Sequence, residues 1–364
     1  MRIAGYQLYR TRLQCHKPFK IATGASDVCS GLVLRLETED GGWGYGEAVP
    51  NPYLTGETFD GAVAALKELI LPGLMNADAW HVGIIHQKMS SVVIGHPSAR
   101  AAVDMAVHDL LSRAAGVPLA SLLGGPGGGV ETDFSIGLCR PDEAAREARA
   151  IVEKGFRAIK LKVGADAAED VDRVKAVRGA IGPDLKLRID ANEGWDLPGA
   201  TRALREMEHY RVELVEQPLP RWDLRGLAEL RRRVDVPIAA DEAVHSPRDA
   251  LRALEAGAVD IINIKLMKSG GLGPAREIAA MARAAGVRLM IGGMVGESRI
   301  SVTAAAALAS ALSFEYCDLD ADLLLADQLV EEGGARLEGD RRVLDSAPGL
   351  GIADLNKAFL TRLV

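Results

Sequence analysis

"RAIKLKVG", residues 157–164, is the stretch on which the fold turns. Ile159, Leu161 and Val163 alternate with Lys160 and Lys162, the two-residue period of a β-strand. Both ammonium groups therefore face the same way, and a buried ammonium must be paired or neutral. Something on that face has to answer two lysines.

Seven comparable runs accompany this one. "ETDFSIGL" (131–138) precedes it; "LKLRIDA" (185–191), "VELVEQ" (212–217), "PIAADE" (237–242), "DIINIK" (260–265), "VRLMIG" (287–292) and "SFEYCDLD" (313–320) follow. Amphipathic segments such as 142–155, 196–210, 247–256 and 274–285 lie between them. Strand–helix alternation predicts parallel pairing, and eight such units predict a (β/α)8 barrel, an α/β fold of the TIM type. Lys162, Asp190, Glu216, Asp241 and Lys265 succeed one another at 28, 26, 25 and 24 residues. One strand, one helix and two short loops take about that length. An open doubly wound sheet is the runner-up. Its Gly-rich phosphate turn after the first strand is not offered by "GLCRPDE" (137–143).

The remainder of the chain reads as a cap. "CSGLVLRLETEDGGWGYGEAVP" (29–50) carries strand-like runs on either side of Asp40-Gly41, a hairpin signal. Helical patterns follow at 57–70 and 98–115, and "LLGGPGGGVET" (122–132) is the strongest linker signal. These boundaries predict an α+β capping domain over 1–125, the barrel over 126–330 and a C-terminal segment, 331–364, folding back onto the cap.

A chain of 364 residues, 48% hydrophobic and 26% charged, has the balance of a globular protein with ample core. Its formal charge of -7 argues against nucleic-acid or anionic-membrane surfaces. "MRIAGYQLYRTRLQ" has no uninterrupted apolar core of a signal peptide, and no run of about 18 apolar residues predicts a membrane span. Cys15, Cys29, Cys139 and Cys317 show no CxxC spacing, which predicts a reduced, cytoplasmic protein. A homo-oligomer stays open.

Active sites of parallel barrels lie at the C-terminal strand ends. There the sequence places Lys160 and Lys162, Asp190, Glu216, Asp241, Lys265, and Asp318 with Asp320. Neighbouring strands run about 4.8 Å apart, so the three single acids can converge. Converging anions raise one another's pKa unless a cation intervenes. An all-oxygen site suits Mg2+, with Mn2+ as substitute. The blander alternative makes each acid a helix N-cap. Lys162 and Lys265 bracket the acids in sequence, which predicts two acid/base groups on opposite faces of one carbon. Lys160 would then lower the Lys162 pKa. Lysines that merely neutralise the acids, or a Schiff-base lysine of an aldolase, are the alternatives, as is a non-catalytic binding barrel. "KSGGLG" (268–273) could cradle a phosphate, but barrel phosphate sites usually follow strands seven and eight.

Five motifs in order, "KLK" (160–162), Asp190 in "RIDAN", Glu216 in "VEQP", Asp241 in "AADE" and Lys265 in "NIKLMKSGG", resemble the muconate lactonizing enzyme subgroup of the enolase superfamily. The resemblance covers essentially the whole chain and implies a modified barrel under a cap built from both chain ends. It also implies Mg2+ on Asp190, Glu216 and Asp241, and acid/base chemistry by Lys162 and Lys265 through an enediolate. "DLD" (318–320) resembles the Asp-x-Asp motif of dipeptide epimerases, in which the two aspartates bind the free ammonium of a dipeptide. The implied substrate is thus a dipeptide epimerised at its C-terminal residue. N-acylamino acid racemase, o-succinylbenzoate synthase and muconate cycloisomerase share the metal and lysines but need no ammonium receptor. "IGGMVGESRI" (291–300) resembles the family's seventh-strand turn with an added glycine before Glu297. Glu297 joins Lys160, Asp318, Asp320 and Gly24 among the expected substrate contacts. Gly24 belongs to a stretch, "KPFKIATGASD" (17–27), expected as a flexible loop closing over the substrate. Its small residues, with only Lys20 near, favour hydrophobic or broader dipeptides over those ending in glutamate.

Overall fold

The computed structural model describes residues 1–22 and 24–364. Its centre is one parallel sheet of eight strands in sequential order. They are Phe134–Ile136, Ala158–Lys162, Lys186–Asp190, Val212–Glu216, Ile238–Ala240, Ile261–Ile264, Arg288–Gly292 and Tyr316–Asp318. Each falls inside a run expected from sequence. The strands are short and mostly buried because helices cover their outer faces and side chains fill the inside. Their apolar residues are interrupted by charged ones such as Lys160, Lys162, Arg188, Asp190 and Glu216. The first and eighth strands share no ladder. Their seam is sealed by Asp133 N donating to the Cys317 carbonyl (3.2 Å), Leu319 N to Thr132 Oγ1 (2.8 Å) and Ser135 N to Asp320 Oδ2 (2.6 Å).

The loops after the strands explain why the acids are free of capping duty. Asp196, Asp223 and Ser246 cap the helices that follow strands three, four and five. Asp190, Glu216 and Asp241 lie earlier, at the strand ends, so the N-cap alternative does not hold for them.

The cap is an antiparallel sheet of Ile3–Ile21, Gly24–Thr38 and Trp43–Ala48, edged by Leu360–Arg362, which pairs Thr11 with Leu360 and Tyr9 with Arg362. Helix Pro97–Ala114 is buried along most of its length between sheet and barrel, as its small and apolar composition allows. Gly46 makes that approach possible: a Cβ there would lie 1.8 Å from the Ala102 carbonyl oxygen. The sequence reading needs two corrections. Residues 17–21 and 24–27 are not a flexible loop but the end of a hairpin, with Phe19 opposite Ser26 and Ile21 opposite Gly24. Its 19-residue first strand has no counterpart in the sequence reading. No helix among the described residues is long and apolar enough to cross a membrane.

Cap and barrel meet at the buried Asp104, which pairs with a half-buried His86 of the cap. Asp104, in helix Pro97–Ala114, accepts from Leu272 N at the start of barrel helix Leu272–Ala284 and sits 2.6 Å from His86 Nε2. Burial alone would lower the His86 pKa, but the hydrogen bond and charge of Asp104, helped by Glu277 and opposed by Arg100, raise it above the usual 6.5. The resulting stabilisation is complete below the unfolded value and is lost as pH climbs through the raised folded one. The melting-temperature gap between the protein and its His86→Gln variant is therefore expected to be largest near about pH 5.5 and to narrow towards alkaline pH. A gap of constant size across that range would assign His86 a purely steric role.

Candidate active site

The two-residue period of Ala158–Lys162 sends both Lys160 and Lys162 into the barrel. Lys160 is fully buried. Its ammonium lies 3.2 Å from Asp190 Oδ2, 2.6 Å from Glu216 Oε2 and 2.5 Å from Asp318 Oδ2. Lys162, two residues nearer the mouth, reaches Asp190 Oδ2 at 2.5 Å. Lys265 ends strand six and meets Asp241 Oδ2 at 2.8 Å and Glu216 Oε1 at 4.0 Å. Strands two and six stand half a barrel apart, and strands three, four and five between them carry Asp190, Glu216 and Asp241. The structure thus gathers five of the expected residues into one charged ring, and Lys160 ties that ring to Asp318.

Electrostatics follow from dryness and proximity. Burial and the neighbouring Asp190 charge push Glu216 up to about 7. Burial would also raise Asp241, but Lys265 and Lys268 hold it well below the usual carboxylate range. Burial disfavours the Lys160 ammonium, yet Asp318, Glu216 and Asp190 keep it firmly charged. Lys268 is the participant that the sequence reading missed as such. Its ammonium lies 2.5 Å from Asp241 Oδ1 and donates to the Val244 and Asn263 carbonyls, both at 3.2 Å. Its place one helical turn beyond Lys265 was the available signal. Because the side chain turns inward to these acceptors, "KSGGLG" offers no lysine to a phosphate. Asn263 Nδ2 donates to Glu216 Oε1 at 2.7 Å, and Asn192 Nδ2 donates to Glu242 Oε1 at 3.0 Å. Burial and Asp241 push that second carboxyl, Glu242, up to about 8.

The donors fit a hard dication. Among the described residues no three carboxylates, histidines or cysteines form a closed ligand cage; ammonium groups stand among the acids instead. Asp190, Glu216 and Asp241 are nevertheless all oxygen donors with no exposed surface. Glu216 Oε2 and Asp241 Oδ1 lie close to ammonium nitrogens but out of line, and hydrogen-bond to nothing. Buried carboxylate oxygens crowded together, on acids that repel one another and are balanced here by ammonium groups, match what Mg2+ coordinates.

The substrate-contact expectations separate into two groups. Asp318 and Asp320 are buried at the strand-eight end. Asp318 accepts from Ser135 Oγ at 3.2 Å, while Asp320 accepts from Ser135 N and is raised to about 7 by burial and by Asp318. Glu297 is buried in the seventh-strand turn, accepts from Met294 N at 2.7 Å and is raised to about 8 by burial. Gly24 sits away from the acids, at the hairpin end. It borders a cavity of about 260 Å³ with Phe19, Ile21, Leu54, Met294 and Val295, and no described lining residue is charged.

Residues 5–124 match the family model for the mandelate racemase/muconate lactonizing enzyme N-terminal domain, and residues 143–356 match the enolase C-terminal domain-like model. The chain is 39% identical over 344 residues to an L-Ala-D/L-Glu epimerase of Clostridium acetobutylicum, covering 93% of this chain and 95% of the relative. It is also 39% identical over 355 residues to a hydrophobic dipeptide epimerase of Enterococcus faecalis, covering 97% and 100%. The solved structure of a dipeptide epimerase from Enterococcus faecalis, complexed with Mg and L-Leu-L-Tyr, superposes with a TM-score of 0.95 at 38% identity, covering 97% of this chain and all of that one.

Removing the Lys160 charge is expected to be costly for the fold itself. Lys160→Met leaves Glu216, Asp190 and Asp318 short of one shared cation, and unpairing a buried charge costs about 3–5 kcal/mol. Urea unfolding followed by circular dichroism in metal-free buffer measures the loss; a change below about 1 kcal/mol would contradict the charge-matching role.

Proposed function

The chain belongs to the enolase superfamily, and we propose that within it this protein is a Mg2+-dependent epimerase. Its substrates are dipeptides, inverted at the α-carbon of the C-terminal residue. The observation that carries the reading is the placement of Lys162 and Lys265 on opposite walls, with Asp190, Glu216 and Asp241 on the strands between them. Asp190, Glu216 and Asp241 would hold Mg2+, whose positive charge offsets the second negative charge that a carboxylate gains when its α-proton leaves. Lys162 and Lys265 each reach an acid of that row, so each stands at one face of a carboxylate gathered there. One takes the α-proton and leaves an enediolate; the other returns a proton to the opposite face, which inverts the centre. A base must be neutral and an acid charged, so the two lysines exchange protonation states with the direction of reaction.

Two further features narrow the substrate. Asp318 and Asp320 form a paired acidic end at strand eight that suits the α-ammonium of a dipeptide and gives an N-acyl group no partner. The uncharged cavity beside Gly24 offers contact to an apolar side chain and, among its described lining residues, no cation to a carboxylate.

Incubation of a dipeptide panel with Mg2+ in D2O, read by mass spectrometry, tests the assignment. Deuterium is expected at the C-terminal α-carbon without change in connectivity, with apolar C-terminal residues turned over faster than glutamate. Exchange confined to N-acylamino acids would overturn the dipeptide reading. Lys162→Ala and Lys265→Ala are each expected to lower epimerisation by at least about 10³-fold, each retaining exchange of one isomer at most. Wild-type rates in either variant would remove the two-base mechanism. Chelation of divalent metal should abolish turnover and its return restore it.

A further inference from the structure

Beyond the acids and lysines, one polar cluster joins the cap to the barrel mouth. The Glu193 carboxylate accepts from Arg221 N at 2.6 Å and Nη2 at 2.6 Å, and from the Tyr53 hydroxyl at 2.7 Å. Arg221 also donates from Nη1 to the Tyr53 carbonyl at 3.2 Å and lies 4.8 Å from the centre of the Tyr53 ring. Glu193 follows strand three, Arg221 follows strand four, and Tyr53 belongs to the cap. The bidentate, charge-assisted geometry is of the strong kind. The cap segment needs that anchor only for docking, since its own turn is set locally: Asn51 Oδ1 accepts from Tyr53 N and Leu54 N, both at 2.9 Å.

The backbone at Glu193 is held in an uncommon shape. Asn192 and Glu193 adopt φ of 40° and 68° in succession, a left-handed pair that non-glycine residues seldom take and that the surroundings must enforce. The same short segment starts at the active acid, because Asn192 N donates to Asp190 Oδ1 at 2.9 Å. On its far side Tyr53 borders the uncharged cavity together with the hairpin end and the seventh-strand turn.

We propose that Glu193 is a positioning residue that clasps the 51–55 segment of the cap over the barrel mouth through Arg221 and Tyr53, so that the clasp sets how tightly ligand is held. The inference rests on the functional reading above only for the identity of that ligand. If the clasped form is the binding-competent one, opening it weakens apparent affinity in proportion to the fraction lost.

The test uses the full-length protein with Glu193→Gln, Arg221→Lys and Tyr53→Phe, each first shown to keep the wild-type far-UV spectrum. Hydrogen–deuterium exchange of peptides spanning 50–56 is expected to speed up by about tenfold in Glu193→Gln, with helix Pro97–Ala114 unchanged. Arg221→Lys keeps the charge but loses the fork, and is expected to fall with Glu193→Gln rather than with wild type. With a dipeptide substrate, KM should rise about tenfold while kcat falls about twofold or less. Unchanged exchange at 50–56 in both Glu193→Gln and Tyr53→Phe would overturn the clasp. Faster exchange with an unchanged KM, or a kcat loss that exceeds the KM rise, would overturn its effect on ligand. Should no dipeptide be turned over by wild type, the functional reading fails by itself. Mg2+-dependent protection of 50–56 by L-Leu-L-Tyr or N-acetyl-L-leucine as binding probes then decides the clasp: protection weakened in Glu193→Gln supports it, and protection equal to wild type or absent from both sinks it.

Discussion

Three carboxylates on neighbouring strand ends cannot all stay ionised in a dry barrel unless positive charge stands among them. Here Lys160, Lys162, Lys265 and Lys268 stand there, and the packing of the barrel interior is arranged around that requirement. Lys160 has no exposed surface and touches acids from strands three, four and eight, so it links walls that share no ladder. Its contact with Asp318 also bears on the seam, because Asp318 and Asp320 both engage Ser135 of strand one. Charge matching and barrel closure therefore share the contacts of Asp318 and Asp320 with Ser135. A site that accepts a dication needs acids already close, and such a set survives burial only where lysines offset its charge, with Glu216 still pushed up to about 7.

The cap divides the labour with the barrel. Every residue expected to handle a proton or a metal comes from a barrel strand end, where backbone pairing fixes position. The residues around the uncharged cavity come mainly from the cap hairpin and the 51–54 segment. In the proposed reading, chemistry sits on the barrel strand ends and side-chain selection on the cap, the arrangement that lets one scaffold serve many substrates. The cap shares a hydrophobic core with the barrel through residues such as Leu13, Cys29, Val49 and Met105. The two relatives of equal identity, one named for L-Ala-D/L-Glu and one for hydrophobic dipeptides, are consistent with selection residing in few residues.

How much the sequence disclosed follows from the range of each interaction. Six of the eight barrel strands run up to a charged residue, Lys162, Asp190, Glu216, Asp241, Lys265 and Asp318, and the spacing from Lys162 to Lys265 repeats with the strand–helix unit. The first and seventh run into glycine and were readable from their short runs and their place in the alternation. Lys160 and Lys162 were readable as a pair because the strand period puts them on one face. Strand Ile3–Ile21 was missed although Thr11, Leu13 and Cys15 alternate with Arg10, Arg12, Gln14 and His16; few of its inward residues are strongly apolar, and Lys17-Pro18 interrupts the alternation. The 17–27 stretch, rich in small residues, looks loop-like in sequence, although Phe19–Ile21 pair with Gly24–Ser26 across the hairpin. Contacts such as Tyr53 with Glu193, 140 residues apart, leave no local pattern at all. Lys268 lay within reach of sequence reasoning, one turn past Lys265, but only coordinates show which acceptors it finds.

The cap sheet is completed by Leu360–Arg362 laid against Tyr9–Thr11, so the barrel is enclosed, in chain order, between the two strands of one pairing. During synthesis the early strands emerge well before their edge partner exists. The barrel units, each built from near neighbours in the chain, can assemble in the meantime. The long hairpin must wait with one edge uncovered, and an uncovered edge is where another copy's strand can add.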